Sequence, residues 1–213
     1  MHRSDINVTE LAPRVLSGVS LGTTCACWVC QNNLSTRAVF CQDCGTVQPS
    51  RAVDHFTRLG FERRFDLAHS ELGGRYDALR RVFLAERAAA KGPRQQQIVS
   101  EHLSALEAAY GVLADPARRA EYILRLADYT DSEAANAAVE PYMAEFVDEL
   151  NSAADAVAID RVAHKARHGV ELALRELAGA FRAQNYEQAA IALARLARLE
   201  DIAATARSRR GDL

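Results

Sequence analysis

Apolar side chains recur along most of this chain at intervals of three and four, the spacing that lays a single stripe along an α-helix. Leu72, Tyr76, Leu79 and Phe83 form one stripe, and Val99, Leu103, Leu106, Tyr110 and Leu113 form another. Gly92-Pro93 breaks the pattern between them, so two antiparallel helices joined by a short turn are expected. Upstream, residues 54–60 have the form of a short helix stopped by Gly60 in the C-terminal cap position. Asp66 is placed to cap the helix that follows. Downstream, Asp115-Pro116 sets an N-cap aspartate before a proline at the first helical position, opening a short helix with Tyr122, Ile123 and Leu126.

After a polar stretch at residues 128–132 the pattern lengthens into Ala-rich helices. Pro141 can open the first, with Met143, Phe146, Val147 and Leu150 facing inward. With Tyr142 added, this helix carries more large apolar residues than one buried stripe needs. The face of Tyr142, Met143, Phe146 and Leu150 is therefore expected to stay partly exposed and to bind a partner. Val162, Ala166, Val170, Leu174, Leu177 and Phe181 mark the second helix. Asn185 with Gln188 resembles a capping box for a third, which bears Leu193, Leu196 and Leu199. Short turns between them predict an antiparallel three-helix bundle over residues 136–210. Residues 1–24 have no sustained period and contain Pro13, Gly18 and Gly22, so they read as a mobile leader.

Composition agrees with a helical protein: 7% of the 213 residues are aromatic, and Ala, Leu, Arg and Glu are abundant. The net charge of −2 offers no electrostatic footprint for a phosphate backbone, so nucleic acid is not an expected partner. Arg207, Arg209 and Arg210 make a small basic tail that reads as a solvated end. The sequence has neither a long apolar run nor a basic-then-apolar start. No membrane partner is expected, and the compartment reads as reducing and cytoplasmic.

Two Cys-x-x-Cys hooks, Cys27/Cys30 and Cys41/Cys44, change the picture most. Each hook is a short bend that delivers two sulfurs to one tetrahedral ion, and a pair of hooks completes four ligands. A structural zinc ion in a ribbon over residues 25–49 is the expected cofactor, with Cys25 outside the set. The same donors can hold iron, which leaves a rubredoxin-like electron-transfer module as an alternative. His164 and His168 stand one turn apart, but Lys165 stands next to His164 where a metalloprotease carries its base, and the pair reads as a solvated face. No nucleophile and base are spaced for catalysis, so an enzyme is not expected.

Taken in order, the zinc hooks, the Phe56-Leu59-Gly60 helix, the Tyr76/Leu79 stripe and the run Ala109-Tyr110-Gly111-Val112-Leu113-Ala114-Asp115-Pro116 resemble the HscB (Jac1-like) J-domain co-chaperones of iron–sulfur cluster assembly. The continuation Arg119-Ala120-Glu121-Tyr122-Ile123-Leu124 is similar to that branch in particular. The resemblance implies a mainly α fold: the four-cysteine ribbon, a J-domain-like hairpin over residues 50–128 and the C-terminal three-helix bundle. It also implies two protein partners, a DnaK-type chaperone at the J-domain and an IscU-like cluster scaffold at the bundle.

Two departures qualify what the resemblance implies. The family's J-domain acts through a His-Pro-Asp tripeptide, and the equivalent residues here are Leu84, Ala85 and Glu86. Without a proline the second helix is expected to run on toward Lys91, replacing the loop that faces the chaperone. Arg80 and Arg81 stand where J-domains carry their basic contact face. The scaffold-binding positions map to Tyr142, Met143, Phe146, Val147 and Leu150, with Arg198 in place of a phenylalanine. The expected function is an HscB-like co-chaperone or adaptor in iron–sulfur protein maturation, with a decoy that cannot drive the chaperone as the alternative.

Overall fold

The computed structural model describes residues 24–211, so all of the expected leader except Thr24 lies outside the described residues. Strand β1 (Thr24–Ala26) pairs antiparallel with β2 (Asn33–Ser35), Cys25 opposite Leu34. Seven helices follow among the described residues, and no helix is long and apolar enough to cross a membrane.

Helix α1 (His55–Leu59) has the glycine C-cap the sequence suggests and an aspartate N-cap before it. The Asp54 carboxylate accepts the Thr57 N–H at 2.8 Å, and Gly60 closes the helix at φ 75°, a left-handed conformation that costs glycine little. Helix α2 (His69–Ala89) starts later than Asp66 allows, with Ala68 at its N-cap and no side-chain bond there. Asp66 instead takes an ion pair with Arg182 at 2.6 Å, a tertiary partner that a cap motif cannot anticipate. At its far end α2 passes unbroken through Leu84, Ala85 and Glu86 to Ala89. Helix α3 (Pro93–Leu113) starts on Pro93 and packs back along α2. Leu72 and Phe83 of α2 and Val99, Leu106 and Leu113 of α3 are buried, and the rings of Tyr76 and Tyr110 stack at 4.4 Å.

Aspartate and asparagine also set the later helix starts. Asp115, Asp131 and Asp155 accept N–H bonds at the openings of α4 (Pro116–Leu126), α5 (Ser132–Ser152) and α6 (Ala156–Arg182). Asn185 accepts the Gln188 N–H at 3.0 Å ahead of α7 (Tyr186–Gly211). Pro141 does not open α5 but lies inside it. Asp131 starts this helix about two and a half turns earlier, and the proline only forgoes one backbone bond in an exposed stretch.

The chain forms two compact units. The first holds the ribbon, α1, α2 and α3, and the second holds α4 to α7 with the segment Arg63–Leu67. In the second, Val139, Met143, Phe146, Leu150, Ile159 and Leu199 share one core, and Ala120 and Leu124 of α4 join another with Leu177, Ala189 and Leu196. The expected exposure of the α5 face is corrected here. Met143 and Phe146 are 0% exposed and Leu150 6%, whereas Tyr142 and Val147 are 40% and 41% exposed. At about 100° per residue, positions 143, 146 and 150 share one stripe while 142 and 147 fall on either side of it.

Candidate metal centre

Each Cys-x-x-Cys hook folds into the same turn. In the first, Gln31 N–H bonds Cys27 O at 3.0 Å and Cys27 N–H bonds Asn32 O at 2.9 Å. In the second, Gly45 N–H bonds Cys41 O at 2.9 Å and Cys41 N–H bonds Thr46 O at 3.0 Å. The residue after each second cysteine is left-handed, Gln31 at φ 65° and Gly45 at φ 71°. Two equivalent turns thus point their sulfurs at one another. All four Sγ atoms lie within 4.8 Å, with Cys27 to Cys44 at 3.7 Å and Cys30 to Cys41 at 3.6 Å. Tetrahedral zinc with Zn–S bonds of about 2.3 Å requires sulfurs roughly 3.8 Å apart, so the cluster fits a four-thiolate ion. Cys25 lies outside it, and its Sγ accepts from Arg51 Nη2 at 3.1 Å.

The electrostatics of the cluster ask for a cation. The Cys30 backbone N–H, helped by the Val29 N–H and the Gln48 side-chain amide, holds the Cys27 thiol down at about 6 against the opposing effect of burial. The Thr46 hydroxyl and N–H lower Cys44 too. For Cys30 the Asn32 N–H also lowers the pKa, but burial and the neighbouring sulfurs outweigh it and push it up to about 12. Four thiolates this close cannot all ionise in the absence of a positive charge, and a divalent ion supplies it. With all four positions taken by sulfur, such a site is closed and holds structure.

Sequence reasoning missed what stands behind the cysteines. Gln48 is buried, and its Nε2 donates to Thr46 O at 2.8 Å and lies 3.4 Å from Cys27 Sγ. Its main-chain oxygen accepts from His102 Nε2 on α3 at 2.8 Å. The His102 ring stacks on Phe83 at 4.7 Å, and Phe83 in turn meets Phe40 of the ribbon at 6.2 Å. Trp28 donates Nε1–H to Val47 O at 2.9 Å, and the Arg94 guanidinium lies 4.6 Å over its ring. Nothing in the spacing of Gln48 and His102 signals a contact across so much sequence.

Away from the cysteines, the remaining candidates are dispersed. Arg80, Arg81, Leu84 and Ala85 are exposed along α2, while Glu86 is half-buried and desolvation raises its carboxyl pKa. Tyr142 meets Phe146 edge-on at 5.2 Å, and Arg198 on α7 pairs with Glu140 on α5 at 3.2 Å. His164 and His168 are exposed, and neither joins a metal-ligating cluster among the described residues.

No protein-family model matches the chain. Over 74 residues it is 36% identical to the co-chaperone protein HscB of Proteus mirabilis (strain HI4320), a stretch that is 35% of this chain and 43% of that protein. It therefore spans less than half the length of that curated relative. The crystal structure of human co-chaperone protein HscB superposes with a TM-score of 0.74 at 19% identity, covering 88% of this chain and 100% of that one. The chain is HscB-like. Chaperone HscB from Vibrio cholerae gives a TM-score of 0.62 at 22% identity, over 76% of this chain and 99% of that one. The Jac1 co-chaperone from Saccharomyces cerevisiae gives 0.56 at 16%, over 75% and 95%. At these identities the solved structures establish the HscB fold, as the sequence led us to expect: mainly α, with a four-cysteine cluster near the start.

Proposed function

We propose that this chain is an HscB-type co-chaperone or adaptor in iron–sulfur protein maturation, working by binding other proteins and without chemistry of its own. The observation that carries this reading is likeness to HscB in fold over 88% of the chain, joined to an HscB-like stretch of sequence. In this reading Cys27, Cys30, Cys41 and Cys44 hold one structural zinc ion, and the protein acts in the cytoplasm with neither nucleic acid nor membrane as a partner. The J-domain-like part over residues 50–128, preceded by the zinc module over 25–49, serves the chaperone side, and residues 136–210 serve the scaffold side. An IscU-like scaffold docks on α5 through the exposed Tyr142 and Val147, with Arg198 beside them through its pair with Glu140. Met143, Phe146 and Leu150 shape that surface from beneath.

A DnaK-type chaperone meets Arg80, Arg81 and the Leu84-Ala85-Glu86 segment. The continuity of α2 through that segment favours the narrower version, an adaptor that keeps its scaffold but does not drive the chaperone. Affinity purification from the native cell tests the proposal. Recovery of a cluster scaffold, with or without a DnaK-type chaperone, is expected, and recovery of neither would overturn it. A colourless protein with one equivalent of zinc is the expected metal content, whereas a visible thiolate-to-iron absorption band would favour the rubredoxin-like alternative.

A further inference from the structure

The four sulfurs of the cluster are not equally protected. Cys27 and Cys41 are 0% and 2% exposed and Cys30 is half-buried, whereas Cys44 is open to solvent. Gln42, Asp43 and Gly45 around it are exposed as well, so the second hook turns its outer edge to solvent. Across the cluster, Cys27 Sγ lies 3.7 Å from Cys44 Sγ, in van der Waals contact. The fifth cysteine, Cys25, is half-buried, bonded to Arg51 and outside the group.

We infer that Cys44 is an oxidation site for hydroperoxides, and that the product, a Cys27–Cys44 disulfide, unloads the metal ion and loosens the ribbon. The inference rests on the proposed four-thiolate ion, which keeps the sulfurs deprotonated and hence nucleophilic. The Cys44 sulfur attacks hydrogen peroxide: an S–O bond forms, the O–O bond breaks, and the far oxygen leaves as hydroxide. Sulfur is oxidised to a sulfenic acid and the peroxide is reduced. Cys27 then attacks the Cys44 sulfur, the S–O bond breaks, and a second hydroxide leaves as the disulfide closes. Two thiolates and one peroxide thus give one disulfide and two hydroxides. Cys30 and Cys41 are left as ligands, and two thiolates do not make a closed four-coordinate site. A dithiol reverses the change by taking up the disulfide, after which the ion rebinds. The disturbance has a route into the hairpin, because Gln48 lies 3.4 Å from Cys27 Sγ through Nε2 and holds His102 of α3 at 2.8 Å through its carbonyl. Trp28, next to Cys27 and 4.6 Å under the Arg94 guanidinium, is the sole tryptophan of the chain, so its fluorescence reports on the ribbon.

The test uses the full chain, its metal counted beforehand by elemental analysis. Hydrogen peroxide is added in the presence of a chromophoric chelator, and the remaining thiols are then blocked. Release of one ion per peroxide consumed is expected, faster than without peroxide and with a matching change in Trp28 emission. Trypsin cuts after Arg37 and Arg51, so the expected bond joins two peptides, and their fragmentation should assign it to Cys27 and Cys44. Cys44→His keeps a zinc-ligating side chain and should release its ion at least about tenfold more slowly under peroxide, since no thiolate is left at the open position. Cys25→Ala should respond like the natural chain. If the histidine variant holds no ion, the mapped bond decides. A natural chain that holds no ion before treatment would overturn the four-thiolate reading and this inference with it. A loaded chain that keeps its ion, a bond that leaves out Cys27 or Cys44, or undiminished release from loaded Cys44→His would overturn this inference alone.

Discussion

Gln48 and His102, 54 positions apart, are joined by a 2.8 Å hydrogen bond from the imidazole to the main-chain carbonyl of Gln48. The same glutamine places its side-chain amide 3.4 Å from Cys27 Sγ. One residue therefore touches both the four-cysteine cluster and the core of the α2–α3 hairpin. Ribbon and hairpin are then thermodynamically linked, and an ion that binds only the folded ribbon stabilises both.

Chelation should accordingly do more than melt the ribbon. Hydrogen exchange after metal removal is expected to become fast over residues 25–48, to quicken around Phe83 and His102, and to stay slow in the bundle helices α5 to α7, which have their own core. Gln48→Ala removes the donor to Cys27 and should lower metal affinity by about 10- to 100-fold, as loss of a partner behind a ligand does. A competition titration with a chromophoric chelator reads this out. Unchanged affinity would mean that the amide contributes nothing to the thiolates.

His102 gives the hairpin a pH dependence of known sign. Burial lowers its pKa below the ordinary value of 6.5, with Arg58 acting the same way and the Gln48 carbonyl and Glu101 opposing. The folded state therefore prefers the neutral ring. Its contribution is fully present above pH 6.5 and is lost as pH falls through the lowered folded value. Because protonation of the cysteines also weakens metal binding in acid, the check is a difference. Thermal melts of the natural chain should fall more steeply below pH 6.5 than those of His102→Gln, and parallel curves would remove His102 as the cause.

Gly169 marks a close approach of α6 to α7. A Cβ built there would stand 2.9 Å from Leu199 Cδ1, and Leu199 is fully buried. Gly179, on the same helix, has nothing within 4 Å of its would-be Cβ. Alanine at 179 should therefore gain the ordinary helix benefit of about 0.5–1 kcal/mol, which the clash cancels or reverses at 169. Denaturant melts of the two variants should separate in that order.

The α5 face divides into core and surface, and the two parts predict different phenotypes. Phe146→Ala should cost about 3–5 kcal/mol, because it empties a fully enclosed site beneath the Lys165 ammonium. Tyr142→Ala should leave the melting temperature nearly unchanged and weaken binding to a cluster scaffold. A stable Tyr142→Ala protein that binds its scaffold normally would remove this residue from the interface.

Local chemistry made most of the fold legible before any coordinates. Asp115 and Asn185 cap the helices they were assigned to, because a cap needs only its own first turn. The cysteines come together as their spacing requires, because each hook is self-contained. Failures occur where a longer-range partner or a competing start decides. Asp66 is drawn to Arg182, and Asp131 begins α5 ahead of Pro141. Apolar content alone could not say which of Tyr142, Met143, Phe146, Val147 and Leu150 are buried, since that depends on where the other helices lie. Gln48 and His102 left no periodic trace at all.

The continuity of α2 bears most directly on function. Phe83, the last buried residue of its apolar stripe, is held by His102, while Leu84 and Ala85 just beyond it are exposed and Glu86 is only half-buried. Fold and trigger are therefore expected to be separable, since none of residues 84 to 86 is buried. In a single-turnover assay with the cognate DnaK-type chaperone, the natural chain is expected to leave ATP hydrolysis at its basal rate. Arg80 and Arg81, exposed one turn earlier, should still allow weak docking that fades with added salt. The triple variant Leu84→His, Ala85→Pro, Glu86→Asp should end α2 about one turn early, since proline cannot continue a helix interior. Near-UV circular dichroism should show the Tyr76–Tyr110 stack retained. Acceleration by the variant alone would establish that only the trigger is missing, acceleration by the natural chain would refute the adaptor reading, and acceleration by neither would place the defect in docking.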